Sequence, residues 1–189
     1  MLEDLVLKNR SYRRFYGDCK ISNDELLHLV DLARNTASTA NLQGLKFLIV
    51  NEEKKNADVF ETLSFAGRLK EWNGPKEDER PTAYIIILTD LSVGKNLDFD
   101  VGICAQTILL GATEMGYGGC MLGSIKREKM SEDFGIDLNK YKISLCIALG
   151  KPKEDVRLVD VKEDGDIAYY RDEKGTHYVP KRSLKDILF

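Results

Sequence analysis

The sequence has 189 residues, 43% of them hydrophobic and 31% charged, with 15 Gly and only 4 Pro. Such a composition builds a core, and it excludes disorder, collagen and low complexity. Lys and Arg total 28 against 31 Asp and Glu, a net charge of −3, so no global basic field draws nucleic acid.

The elements follow in chain order. Met1-Leu2-Glu3-Asp4 is acidic and lacks the basic start and apolar core of a signal peptide, so a cytoplasmic setting is expected. Ser22-Asn23-Asp24-Glu25 is a capping box, with Ile21 and Leu26 as its hydrophobic staple. Leu26, Leu29, Val30 and Ala33 recur at helical spacing and predict a helix ending near Asn35. Phe47–Val50 reads as a short buried strand, and Asp58–Lys70 as a helix with Val59, Leu63 and Ala66 on one side. Gly74–Pro81 is a charged loop with two prolines. Ala83–Leu88 is β-branched and apolar on both faces, as a central strand requires. It is the longest apolar stretch and far short of the ~20 residues that cross a bilayer.

Asp98–Met115 predicts a long helix, apolar nearly all round, which must be buried on all sides or lie across a subunit interface. Gly116 suits its left-handed cap. Gly118–Leu122 and Ile143–Leu149 read as two more strands, and beyond Pro152 the chain is strongly charged up to Tyr178. Helices and strands intermix without linker or repeat, so one α+β (mixed α/β) domain over residues 1–189 is expected.

Cys19, Cys104, Cys120 and Cys146 form no C-x-x-C pair, and only His28 and His177 could complete a metal site, so no metal is expected. His28 falls on the polar side of its helix and His177 in the charged tail. No G-x-S-x-G elbow, H-E-x-x-H or Walker loop is present, and a reaction run by a cofactor fits better than one run by side chains.

Four segments could carry chemistry. Arg10-Ser11-Tyr12-Arg13-Arg14-Phe15 sets three guanidiniums and a hydroxyl in five residues, suited to an anion, as is Lys181-Arg182 near the other end. Taken alone, the first run reads sooner as a solvated basic turn, and Lys181-Arg182 is as ambiguous. Ser38-Thr39-Ala40-Asn41-Leu42-Gln43-Gly44 offers amides and hydroxyls that can read a heteroaromatic edge, or simply a polar loop. Gly116-Tyr117-Gly118-Gly119 follows a helix instead of opening one, which argues against a Rossmann loop, though its glycines allow close approach of a flat ligand.

In this order the segments resemble the FMN-dependent nitroreductase family over essentially the whole chain. The family opens with an R-x-S-x-R-x-F-like segment, matched by Arg10–Phe15, and continues with a P-S-x-x-N-x-Q-P-W-like loop, matched by Ser38–Gly44. Asp100-Val101-Gly102-Ile103-Cys104-Ala105-Gln106 matches the D-x-G-x-x-x-Q start of its central helix, and Gly116-Tyr117-Gly118-Gly119 the G-x-G-rich exit. Ala148-Leu149-Gly150 with Pro152 matches the strand ending A-L-G, and Lys181-Arg182 the late basic pair. Two departures stand out: Asn9 replaces an arginine common in the family, and Gly44-Leu45 replaces its P-W.

The resemblance implies a mixed sheet flanked by helices, in an intertwined homodimer with two FMN sites at the interface. Arg10, Ser11, Arg13 and Arg14 would hold phosphate and ring carbonyls, and Lys181 and Arg182 would close on the phosphate. Ser38, Thr39, Asn41 and Gln43 would meet the flavin, some from the partner chain, with backbone contacts from Gly118 and Gly119. Leu69 and Trp72 would line the substrate pocket. NADH or NADPH would reduce the flavin, and a nitroaromatic, quinone or related acceptor would reoxidise it in a ping-pong cycle, with no obligatory protein acid or base. Three competitors are carried alongside. They are a specialised relative such as a reductive dehalogenase or aromatic-ring dehydrogenase, a flavin-binding module without turnover, and a nucleic-acid binder opposed by net charge. No membrane partner is expected.

Overall fold

The structure is a computed structural model and describes residues 1–67, 69, 72–163 and 165–189. Helix α1 (Leu2–Lys8) leads into an extended segment and then α2 (Asn23–Arg34), which forms as its capping box dictates. Glu25 N donates to Ser22 Oγ at 3.3 Å and Ser22 N donates to Glu25 Oε2 at 2.8 Å, satisfying donors that a helix start otherwise leaves unpaired. Leu26, Leu29 and Ala33 form its buried face.

Four strands make the main sheet: β1 (Leu45–Val50), β2 (Ala83–Asp90), β3 (Gly118–Leu122) and β4 (Tyr141–Gly150), in the order β1-β2-β4-β3. All three strand pairings are antiparallel, and β2 is central and buried from Ala83 to Thr89. Alternation sends Ile85 and Ile87 to one face and Tyr84, Ile86 and Leu88 to the other, each into its own cluster. Both faces are therefore covered. Among the described residues, parallel pairing enters this sheet at one bridge, Ser11 with Gly119 on the outer edge of β3, where Tyr12 N donates to Gly119 O at 3.0 Å. Strand β1 is an edge strand, only half-buried along most of its length, whereas Phe47–Val50 reads as buried.

The first face packs on α2 and on α4 (Asp98–Glu114). Gly111 lets those two helices close up, since a Cβ there would lie 2.8 Å from Leu32 Cδ1. Gly116 follows α4 with φ +81, the left-handed turn expected of it. Within one chain α4 is not covered on all sides. Phe99 is 83% exposed and Ile103 41% exposed, while Val101, Cys104, Ala105 and Ile108 are buried.

The second face packs on α3 (Glu53–Glu61) and α5 (Arg127–Phe134). The helix predicted over Asp58–Lys70 is instead α3, displaced toward the N-terminus, with Lys70 outside the described residues. Leu63 leaves the helical path to bridge Ile125, Ser64 N donates to Ser124 O, and Ala66 adopts φ +45. Apolar spacing that looked helical is thus spent on strand-like pairing. Beyond Pro152, a second sheet places β7 (His177–Lys181) between β5 (Val156–Asp160), parallel to it, and β6 (Tyr170–Arg171), antiparallel. The chain then turns into the short α6 (Leu184–Ile187). Among the described residues no helix is long and apolar enough to cross a membrane.

Candidate functional site

A cavity of about 360 Å³ opens where the N-terminal segment, α4, β3 and the second sheet meet. Arg10, Ser11 and Arg13 line it from one end of the sequence, and Tyr169, His177 and Lys181 from the other. Gln106 and Leu109 of α4 and Met121 of β3 complete its wall. Among the described residues, no carboxylate lines it.

The arginines are held by the backbone yet keep free donors. Arg10 Nη2 donates to Val6 O at 2.6 Å, and Arg13 Nη1 to Ser11 O at 3.1 Å. Arg10 Nε and Arg13 Nε are buried without a hydrogen-bond partner among the described residues, as is Asn9 Oδ1. Orphaned buried donors beside a cavity signal a ligand that accepts from them. The Arg13 guanidinium lies 5.1 Å from the Tyr169 ring centre, and the Tyr169 and His177 rings are 5.2 Å apart. Arg13 N donates to the buried Glu154 carboxylate, which also accepts from Arg171 Nη2 at 2.8 Å. Arg171 in turn covers the Trp72 ring at 4.3 Å.

Arg14 goes elsewhere. Its Nε donates to Glu79 Oε2 at 2.6 Å and its Nη2 to Glu79 Oε1 at 2.7 Å, while Lys153 Nζ lies 3.1 Å from the same carboxylate. The Arg14 hydrogen bonds, against the cost of burial and with help from Lys153, pull Glu79 down to about 2. Arg182 follows β7 on the exposed surface, outside the cavity wall.

Ser38 and Thr39 gather on a different feature. Ser38 Oγ donates to Asp100 Oδ2 at 2.8 Å, and Thr39 N and Oγ1 donate to Asp100 Oδ1 at 2.9 and 2.7 Å. Burial alone would raise Asp100, but the bonds from Thr39 and Ser38 outweigh it and hold the carboxyl below its ordinary value. Gln43 N closes the loop onto Ser38 Oγ at 2.9 Å, and Ala40, Asn41 and Gln43 all take positive φ. This loop borders a second cavity, about 150 Å³, shared with Phe47 and Cys104. Within one chain α4 separates the two cavities, with Asp100 on the second and Gln106 on the first.

Gly118 and Gly119 serve packing. A Cβ on Gly119 would sit 2.1 Å from Ala148 O, and one on Gly118 2.6 Å from Tyr12 Cδ2. Leu69 is half-buried, and Trp72 carries Arg171 on its face. His177, read as part of the charged tail, is 1% exposed and faces the first cavity, because β7 is the middle strand of a sheet that sequence reasoning did not detect. The alternation of His177, Val179 and Lys181 was the available signal. A larger cavity, about 850 Å³, lies at the start of β2, where Asp18, Glu53, Glu77 and Asp78 face Lys20, Arg80 and Lys153. Its mixed charge does not suit an anion as the first cavity does.

Residues 6–151 match the model of the Nitroreductase family. The chain belongs to that family. It is 26% identical over 188 residues to the CLA biosynthesis enone reductase of Lactiplantibacillus plantarum, covering 82% of this chain and 87% of that one. It is 24% identical to an NADPH-dependent oxidoreductase of Staphylococcus haemolyticus over 80% of this chain and 65% of that protein. Among solved structures, the FMN-dependent nitroreductase of Clostridium difficile R20291 superposes with a TM-score of 0.66 at 21% identity, over 80% of this chain and 87% of that chain. The fold is that of the family, an oxidoreductase one. The match ends before the second sheet, so Lys181 and His177 lie beyond it.

Proposed function

We propose that the chain is a cytoplasmic NAD(P)H-dependent FMN oxidoreductase of nitroaromatic, quinone or related acceptors, built as one domain over residues 1–189. The observation that carries this reading is the first cavity, where, among the described residues, two guanidinium Nε donors lie buried and unpartnered beside Lys181 and no carboxylate lines the wall. Those residues fit a nucleotide phosphate. Arg10, Ser11, Arg13 and Lys181 would hold the phosphate end, with charge-assisted bonds that are the strong ones. Gln106 can both donate to and accept from a heteroaromatic edge, and Leu109 and Met121 offer it an apolar wall. When bound, FMN supplies the redox chemistry, taking a hydride equivalent from NAD(P)H and delivering electrons to the acceptor. The chain's own part is to bind, orient and shield, and no side chain is assigned as an obligatory acid or base.

The flavin site is completed in a homodimer. Ser38 and Gln43 line a cavity on the other flank of α4, with Thr39 and Asn41 in the same loop, and the exposed Phe99 and Ile103 give that helix an apolar surface for a second copy. The partner's polar loop would thereby reach the flavin that one chain holds at Arg10 and Arg13. Arg14, Arg182, Gly118 and Gly119 would support this site from outside the cavity wall, and Trp72 and Leu69 would bound the acceptor.

The test is the visible spectrum of the purified protein, followed by rapid mixing with NADH and with NADPH. A yellow protein, or one that turns yellow with FMN, and that bleaches with a nicotinamide is expected. A protein that stays colourless after incubation with FMN overturns the reading. Turnover of nitro compounds and quinones, compared with halogenated phenols, separates the general reductase from a dehalogenase. The name of the Lactiplantibacillus relative adds an enone to that panel. Slow reduction by both nicotinamides and indiscriminate reoxidation would mark a flavin-binding module.

A further inference from the structure

His177 opens β7, and its imidazole shares one face of that strand with Val179 and Lys181, all three on the first cavity. The residue is 1% exposed, and Nδ1 has no hydrogen-bond partner among the described residues. Buried ring nitrogens are normally satisfied by protein or ordered water, so an orphan on a cavity wall points to a partner from outside the chain. The backbone around it is settled, since His177 N donates to Asp155 O at 2.8 Å and the ring stands 5.2 Å from Tyr169.

The neighbours decide what that partner is. Burial first, then the Arg13 and Arg171 guanidiniums, push the imidazole down to about 4, so at neutral pH it is uncharged with one donor and one acceptor nitrogen. A cationic partner would meet two guanidiniums. An apolar partner would leave Nδ1 unsatisfied. An anion that accepts hydrogen bonds suits both the guanidiniums and an Nδ1–H.

We propose that His177 is an anion-binding residue of the first cavity, donating its Nδ1–H to the phosphate of the bound flavin nucleotide beside Arg13. This rests on the FMN reading above and extends it to a residue beyond the matched family region. A neutral donor adds direction without adding charge, which suits a cavity where arginines and a lysine already supply the positive field.

The experiment compares wild-type protein with His177→Leu and His177→Asn, measuring the dissociation constants of FMN and riboflavin by flavin fluorescence. Asn sets an amide N–H where Nδ1–H stands, and Leu keeps bulk without a donor. FMN is expected to bind about tenfold or more weakly to the Leu variant and within about threefold of wild type to the Asn variant, with riboflavin little changed in either. Unchanged FMN affinity in the Leu variant overturns the proposal, and so does equal loss for FMN and riboflavin, which marks packing alone. Loss specific to FMN that Asn fails to restore overturns the Nδ1 assignment. Should the variants fail to fold, nitrogen-15 spectra of the wild-type imidazoles with and without FMN decide. The Nδ1 signal of His177 is expected to move while those of exposed His28 stay still, and an unmoved His177 in protein that binds FMN overturns the idea. Wild-type protein that takes up no FMN is the separate failure, that of the flavin reading itself.

Discussion

Arg14 forks onto Glu79, 2.6 Å from Nε to one carboxylate oxygen and 2.7 Å from Nη2 to the other, and so faces away from its neighbour Arg13. Adjacent residues of an extended segment point to opposite sides, so one arginine reaches the cavity while the next fastens the segment to the loop before β2. Glu79 is 5% exposed, and bidentate geometry to a buried carboxylate is what gives such a pair strength.

That pair has a pH signature. Glu79 is held at about 2 in the folded protein, below its unfolded value of 4.5, so its stabilisation is complete above 4.5 and is lost as pH falls toward 2. Glu79→Gln should cost about 2–3 kcal/mol at neutral pH and flatten the loss of stability between pH 4.5 and 3. Urea unfolding at several pH values checks both. An unchanged acid slope would remove Glu79 from the account.

The cavity arginine and the strand lysine test the flavin assignment. Arg10→Ala and Lys181→Ala should each weaken FMN binding by about 1.5–3 kcal/mol, roughly ten- to a hundredfold, the worth of one charge-assisted contact. Fluorescence titration reads this directly. Unchanged affinity in both variants would overturn the phosphate clamp.

Asp100 organises the polar loop from within α4. It accepts three bonds from Ser38 and Thr39, and it is 2% exposed. Asp100→Asn replaces one acceptor with a donor facing donors, so a loss of about 2–3 kcal/mol is expected. Hydrogen exchange at Thr39–Gln43 should quicken by more than exchange across β2. Equal acceleration in both would mean global destabilisation alone.

His177 predicts stability of opposite origin to Glu79. Its folded value of about 4 lies below the unfolded 6.5, so the unfolded chain binds a proton first as pH falls. Stability is therefore expected to drop between pH 6.5 and about 4, on the order of 2–3 kcal/mol, and to lose that portion of the slope in His177→Asn. Denaturant titrations of both proteins over this range measure the difference. Parallel curves would show an imidazole that titrates normally.

Legibility followed the physics of each segment. Helix α2 was plain because Ser22 and Glu25 cap it locally, and β2 because two covered faces force an unbroken apolar run. Leu63 and Ala66 misled because their helical spacing is overridden by pairing with the chain around Ile125, a contact no local pattern encodes. Arg10, Ser11, Arg13 and Lys181 carried their chemistry in residue type and converge on one cavity. His177 did not, since burial within β5–β7 depends on strands too short and too charged to read beforehand.

Two of the segments that wall the first cavity, Asn9–Arg13 and Tyr169–Lys181, lie nearly the whole sequence apart, with Gln106, Leu109 and Met121 completing the wall. On a ribosome adding about 5–20 residues per second, the N-terminal arginines would wait roughly ten to thirty seconds for the strand that faces them. A chain cut short before β7 would keep the main sheet's strands while lacking one wall of the cavity.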